Sequence, residues 1–288
     1  MHVNVIKYQG FCQGVIKALD LVYKTIENPE TPKPIYLLGR IIHNDFVVDK
    51  IRNLGVIILE DKSKSRYELL SNIDKGTVIF SAHGVEPKVY ELALNKGLNI
   101  IDASCTYVLK TQNNIKKHLA LNYDVIYIGT HNHPESEAVM GISDKINLIT
   151  CLDDISKLNI NNELIYATNQ TTLSSYDLIE FKNLLFKKYP NLIYDDKICG
   201  ATTIRQKAII EQPLADLCIV VGDKFSSNTK KLVSVSENVS KIKTIHITDL
   251  SDLDINVLKN IKSVNVTSGA STPKEITDEV IDFLRLYE

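Results

Sequence analysis

The chain has 288 residues, 44% of them hydrophobic and 24% charged, the balance of a soluble globular protein long enough for two or three domains. Lys+Arg 33 against Asp+Glu 35 leave a formal charge of −2, so no basic field is available for nucleic acid or an anionic membrane. No apolar run approaches the ~18 residues of a membrane span, and Met1–Lys7 lacks the charged head, apolar stretch and cleavage site of a secretion signal.

In chain order, short Ile/Val/Tyr-rich runs alternate with helical patterns, which predicts α/β layering. The expected strands are Pro34–Leu38, Val56–Leu59, Thr77–Phe80, Asn99–Ile101, Asp124–Ile128, Leu164–Ala167, Leu217–Val221, Thr244–Ile247 and Ser263–Val266. They show little alternation, as strands covered on both faces should. Val15, Leu19, Val22 and Ile26 step along one face of a helix. A second helical stretch, Glu180–Tyr189, stops at Pro190, which cannot continue it.

Cysteine spacing discloses a repeat. Cys12, Cys105 and Cys199 are separated by 93 and 94 residues (105 − 12 and 199 − 105), and each precedes a helical pattern: Gly14–Ile26, Val108–Leu121 and Thr203–Glu211. A strand ending in a polar loop follows each helix, carrying His43, His133 with Glu135, and Ser226-Ser227-Asn228 in turn. A later strand in each third ends in Ser81-Ala82-His83-Gly84, Asn169-Gln170-Thr171-Thr172 or Ser268-Gly269-Ala270-Ser271. A period near ~95 residues is too long for a solenoid unit and suits a small α/β domain. The expected architecture is three pseudo-threefold-related α/β domains around a central site: 14–104, 105–198, and 199–288 joined by 1–13. Ligands of parallel sheets gather beyond the carboxyl ends of the strands, so three thiols and six loops are expected to converge there.

Five cysteines is an odd number, which disfavours a disulfide framework and points to thiols in a reducing, cytoplasmic setting. Cys218 lies in an apolar run and is expected in the core; Cys151 is expected to be a structural free thiol. Three thiolates at helix starts select zinc or an iron–sulfur cluster. Structural zinc normally takes four ligands, whereas a [4Fe–4S] cube on three cysteines keeps one iron open to substrate. That arrangement suits removal of a hydroxyl group. His43, His83 and His133, with Thr171, Thr172, Ser226, Ser227, Asn228 and Ser271, are donors suited to a phosphate or diphosphate. Glu135 is the carboxylate among these loops. Beside an anionic ligand its pKa should rise, favouring a proton donor, although it equally suits capping the helix of Glu137–Met140.

These segments resemble the 4-hydroxy-3-methylbut-2-enyl diphosphate reductase family. The matching runs are Gly10-Phe11-Cys12-Gln13-Gly14-Val15, Ile42-His43-Asn44, Phe80–Val85, Asp102-Ala103-Ser104-Cys105, His133-Pro134-Glu135, Thr168–Ser174, Ile198–Thr203, Ser226-Ser227-Asn228 and Ser268–Ser271, in family order. The resemblance implies a trefoil around a [4Fe–4S] cluster held by Cys12, Cys105 and Cys199, with the first dozen residues joining the third domain. It implies that the fourth iron takes the substrate's allylic hydroxyl, which leaves as water. His43, His83, His133, Thr172, Ser226, Ser227, Asn228 and Ser271 would hold the diphosphate, and Glu135 with Thr171 would supply protons. An external one-electron donor such as ferredoxin or flavodoxin is implied, since the chain has no flavin or nicotinamide fingerprint. Two segments depart from the family pattern: Tyr8-Gln9-Gly10-Phe11-Cys12-Gln13-Gly14 where Pro-Arg-Gly-Phe-Cys-Ala-Gly is common, and Thr106 where a proline usually follows the second cysteine. Neither removes a ligand. The competing readings are a quinolinate-synthase-like dehydratase, a non-catalytic iron–sulfur sensor and a three-thiolate zinc hydrolase.

Overall fold

The computed structural model describes residues 1–61 and 63–287; Glu288, the last residue of the expected third domain, lies outside them. The chain begins with β1 (His2–Val5), α1 (Gln13–Glu27), β2 (Ile35–Leu38), α2 (Asp45–Asn53), β3 (Ile57–Leu59), α3 (Arg66–Ser71), β4 (Thr77–Phe80), α4 (Pro87–Asn95) and β5 (Asn99–Asp102). It continues with α5 (Thr106–Ala120), β6 (Asp124–Ile128), α6 (Pro134–Met140), β7 (Ile146–Ile149), α7 (Leu152–Lys157), β8 (Ile165–Asn169), α8 (Ser175–Lys188) and β9 (Ile193–Asp195). The last elements are α9 (Gly200–Ile210), β10 (Leu217–Val221), α10 (Ser227–Asn238), β11 (Thr244–Ile247), β12 (Ser263–Ser268) and α11 (Lys274–Leu286).

The strands form three four-stranded parallel sheets, ordered β3-β2-β4-β5, β7-β6-β8-β9 and β11-β10-β12-β1. Numbered by chain order within each sheet, with β1 standing fourth in the last, all three read 2-1-3-4. The sequence repeat is therefore a structural repeat. Strand order reverses between the first and third strands of every sheet, which opens a crevice at their carboxyl ends. The polar loops of the candidate site all follow those strands or begin the next helix: β2 and β4, β6 and β8, β10 and β12.

The chain divides into two compact units, Met1–Val15 with His43–Val47 and Cys199–Glu288, and Ile16–Ile42 with Val48–Ile198. In the first, Leu217, Ile219, Val221, Val264 and Val266 pack on Val280, Ile281 and Leu284 of α11. The opposite face of that sheet, Cys218 and Val220, packs on Ile209 of α9 and on Leu232 and Val235 of α10. Cys218 thus has the core position expected of it, and burial pushes its thiol up to about 11. The second unit repeats the pattern. Ile126, Ile128 and Ala167 meet Leu178 and Leu185 of α8, while Val125, Tyr127 and Tyr166 meet Ile115 of α5 and Val139 of α6. Central strands such as β6 and β10 bury both of their faces, which is why their runs are almost wholly apolar.

Thr77–Phe80, Asp124–Ile128, Leu217–Val221 and Thr244–Ile247 appear with their expected limits, and the other expected strands shift by one or two residues at an end. Three further strands, β1, β7 and β9, go beyond the expected set. Each lies at a sheet edge and is short, so it needs less apolar sequence than a central strand.

Candidate active site

The cysteines sit where the repeat predicts. Each connects the fourth strand of one sheet to a helix: β1 to α1 through Cys12, β5 to α5 through Cys105, and β9 to α9 through Cys199. Cys105 and Cys199 are N-cap residues with extended backbone. The Cys12 Sγ accepts the Val15 amide at 3.4 Å, and the Cys199 Sγ accepts the Thr202 amide at 3.4 Å. A helix N-terminus favours the anionic form of a thiol held there. Backbone bonds fix these loops: the Cys12 amide donates to the Ala270 carbonyl at 3.1 Å, and the Cys105 amide to the Ala82 carbonyl at 2.9 Å. Ala82 and Ala270 follow the third strands of their sheets, so both cysteines are tied to a strand-end loop of the expected site. All three are half-buried, unlike exposed Cys151, the N-cap of α7.

Glu135 is the most constrained titratable group among the candidates. It lies in the first turn of α6, which begins at Pro134 and not at Glu137 as expected, and it is 2% exposed. Its carboxylate turns to the loop after β8: the Thr171 amide donates to Oε1 at 2.9 Å and the Thr171 hydroxyl to Oε2 at 2.9 Å. The Tyr127 hydroxyl adds a longer bond to Oε1 at 3.3 Å. The carboxylate therefore makes bonds to another loop, which a helix cap would not need. Burial raises its pKa, the Thr171 and Tyr127 bonds oppose that, and the balance is about 7. A carboxyl so poised can hold a proton at neutral pH and release it. Tyr127 was missed by the sequence reading because it stands in a core strand. Its one signal is general: a buried phenol needs a partner.

Replacing Thr171 by valine removes one of the three donors that favour the carboxylate. A hydrogen bond to a charged group contributes ~1.5–3 kcal/mol, so the midpoint for protonation of Glu135 should rise by about one to two pH units. Infrared difference spectroscopy of the carboxyl C=O stretch measures that midpoint; an unmoved or lowered value would show that Thr171 does not set it.

His133 caps α6, its Nδ1 accepting the Glu135 amide at 3.1 Å. That role makes Nδ1 the acceptor and leaves Nε2 as the ring donor. The His83 ring stands edge-on to it with centroids 5.7 Å apart, so the loops after β4 and β6 are brought together. The Thr172 hydroxyl accepts from the Gln170 side chain at 2.9 Å, and the Gln170 Oε1 in turn accepts the Thr130 amide at 3.0 Å.

In the other unit Ser226 is the N-cap of α10, accepting the Thr229 amide at 3.3 Å. The Ser271 hydroxyl donates to Ser226 Oγ at 3.3 Å. Asn228 is 6% exposed, its Oδ1 accepting from the Thr202 hydroxyl at 3.2 Å while its Nδ2 lacks a partner among the described residues. A buried amide donor kept unpaired is costly, and an anion oxygen would satisfy it. Ser227 is half-buried beside it, in the first turn of α10. Hydroxyls, a side-chain amide and a helix N-terminus are the donor types that an anion cradle uses. His43 is half-buried, one residue before Asn44, whose side chain accepts the Val47 amide at 3.0 Å at the start of α2.

The repeated parallel sheets, helix-start thiols, anion cradle and buried carboxyl define an α/β enzyme of the kind that works on a small anionic substrate. The chain belongs to the LytB protein family, whose family model matches residues 3–285. Among similar proteins, the 4-hydroxy-3-methylbut-2-enyl diphosphate reductase of Geobacillus kaustophilus is 45% identical over 290 residues, covering 100% of this chain and 91% of its own length. The reductase of the same name from Bacillus subtilis is 43% identical, covering 100% and 92%. The structure of the E-1-hydroxy-2-methyl-but-2-enyl-4-diphosphate reductase from Plasmodium falciparum superposes with a TM-score of 0.90 at 33% identity, covering 98% of this chain and 87% of that one. A second solved structure, of an (E)-4-hydroxy-3-methyl-but-2-enyl diphosphate reductase described as the terminal enzyme of the non-mevalonate pathway, gives 0.68 at 28% identity. Among the described residues no helix is long and apolar enough to cross a membrane.

Proposed function

We propose that the chain reduces 4-hydroxy-3-methylbut-2-enyl diphosphate, removing the allylic hydroxyl as water and giving isopentenyl and dimethylallyl diphosphates. Two electrons and two protons enter, one C–O bond breaks, one C–H bond forms, and water leaves. Glu135 carries the reading: a fully buried carboxyl with a pKa near 7, on the loops that the family motifs share. It deepens the family assignment into a role for this chain's own residues.

Cys12, Cys105 and Cys199 would hold a [4Fe–4S] cluster. The donor set fits it: three half-buried thiols, each at a helix start, and a soft sulfur ligand set. Among the described residues no three His, Cys, Asp or Glu side chains form a cage for one metal ion. A cluster does not require one, because each thiolate takes its own iron. When bound, the group supplies electrons and a Lewis-acidic iron without a protein thiolate. Glu135, held by Thr171, keeps a proton for the departing hydroxyl. The His133 Nε2 proton, His43, His83, Thr172, Ser226, Ser227, Asn228 and Ser271 fix the diphosphate, and that anchoring orients the short allylic chain. Tyr127 and the apolar strand around it exclude water from the carboxyl.

Domain limits of 14–104, 105–198, and 199–288 with 1–13 accompany the proposal, Cys105 and Cys199 opening the second and third domains and Cys12 standing just ahead of the first. So do a cytoplasmic setting, where thiols stay reduced, and an external one-electron donor, a ferredoxin or flavodoxin. The test is anaerobic reconstitution with iron and sulfide, then assay with the allylic diphosphate and a strong one-electron reductant. Both diphosphate products should form. Thermal protection by dicarboxylates but not by the allylic diphosphate, with no turnover, would transfer the chain to the dehydratase reading.

A further inference from the structure

Arg205 lies in α9, six residues after Cys199, and is 4% exposed. Its guanidinium donates to two backbone carbonyls. Nη1 reaches Ala201 O at 3.0 Å and Nη2 reaches Gly10 O at 2.8 Å. Ala201 is two residues after Cys199, and Gly10 is two residues before Cys12. One side chain therefore ties together the two cysteine loops, Arg205 reaching a carbonyl 195 residues back in the sequence. Nη2 also meets Gly10 at a left-handed turn, φ 75°, a conformation that only glycine adopts without strain.

The charge is unusual as well as the bonding. A buried guanidinium normally takes a carboxylate, because an unpaired buried ion is costly. Among the described residues none pairs with Arg205, and its Nε has no partner. Burial pushes the guanidinium pKa down, and the groups that push it back up are the thiols of Cys12 and Cys199 in their anionic form. The anions that this cation faces are thus the two candidate ligands. A cation held by neutral carbonyls is stabilised by negative charge delivered at those sulfurs.

We propose that Arg205 is a positioning residue for the redox centre: it clamps the Cys12 and Cys199 loops through the two carbonyls and supplies an uncompensated positive charge that favours the reduced, more negative state of the group they hold. The inference rests on the assignment of Cys12 and Cys199 as ligands. Its geometric half concerns Gly10 and Ala201, and its electrostatic half concerns the potential.

Two variants separate the halves from each other and from a merely structural role. Arg205→Lys keeps the charge and cannot span both carbonyls; Arg205→Gln loses the charge. Each is reconstituted anaerobically in the full chain and assayed for iron and sulfide content, for cluster loss to a chelator, and for midpoint potential by EPR-monitored titration. Arg205→Lys should lose its cluster several-fold faster than the wild type at an unchanged potential. Arg205→Gln should also become harder to reduce, by at least tenfold in the one-electron equilibrium, about 59 mV. A glutamine variant at the wild-type potential overturns the electrostatic half, and a lysine variant with wild-type chelator kinetics overturns the clamp. If the glutamine variant does not fold, Arg205→Met takes its place in the potential measurement with the same expected shift, and the lysine variant still decides the clamp. Failure of the wild-type chain to take up iron and sulfide would instead sink the ligand assignment.

Discussion

Glu135→Gln should retain the iron–sulfur cluster and the fold yet lose about 10²–10⁴-fold in turnover, the range for removing a positioned proton donor. Glutamine matches the carboxyl in shape and still accepts the Thr171 amide at the Oε1 position. The Thr171 hydroxyl then accepts from the new amide where it formerly donated, so the loop contact survives. The pH profile distinguishes lost proton transfer from lost structure. With its pKa near 7, Glu135 is protonated below that value, so wild-type turnover should fall as pH rises through about 7. The residual activity of the variant should lack that limb. Variant turnover within threefold of wild type across pH 6–8 would remove Glu135 from the chemistry.

The same group gives a stability prediction with a definite sign. Its folded pKa, about 7, lies above the ordinary 4.5. Between those values the folded chain holds the proton and the unfolded chain has released it, so stability falls as pH rises through the window and the loss is complete above pH 7. A shift of that size corresponds to ~3 kcal/mol. Glu135→Gln cannot ionise, so melting of the cluster-free protein should show the variant gaining on wild type from pH 5 to pH 8. A constant difference between them would mean that Glu135 does not titrate on unfolding.

The second large effect concerns the thiols. Serine at position 12, 105 or 199 should abolish stable cluster binding, read as iron and sulfide per chain and as absorbance near ~400 nm. A hydroxyl is a harder, far less acidic ligand than a thiol. Serine at Cys151, which is exposed, should leave the cluster intact, as should serine at Cys218 once the cost of a polar group in its core is allowed for. Equal loss in all five variants would dissolve the ligand assignment and the repeat argument with it.

Much of this was legible because the relevant signals are local. Runs such as Leu217–Val221 are apolar on both faces, and the even spacing of Cys12, Cys105 and Cys199 marks a repeat without any knowledge of contacts. The strands that escaped are those whose partners lie far away or whose sides are solvated. β1 reads as an unremarkable His-Val-Asn-Val, and its role comes from β12, with Asn4 donating to Asn265 at 2.9 Å across 261 residues. Glu135 illustrates the same limit. Sequence alone left helix cap and proton donor equally open, and the contact that bears on the choice comes from Thr171, 36 residues on. Arg205 was invisible for that reason too: nothing near it in the chain announces that Gly10 is its acceptor.

The position of β1 as the fourth strand of the last sheet has a consequence for biosynthesis. While a ribosome makes the chain, the sheets of β2 to β5 and of β6 to β9 can close as soon as their own segments emerge. The opening strand has no ladder until Ser263–Val266 is made, because its register is His2 to Ser263 through Val5 to Val266. Cys12 waits longer still, since its amide bonds to Ala270. The entropy of the long loop is a small obstacle, about 1 kcal/mol beyond that of a loop one repeat long. Timing is the larger constraint: the Cys12 thiol is made long before the Ala270 carbonyl that ties down its loop, so the proposed cluster would be completed only once that late strand is in place.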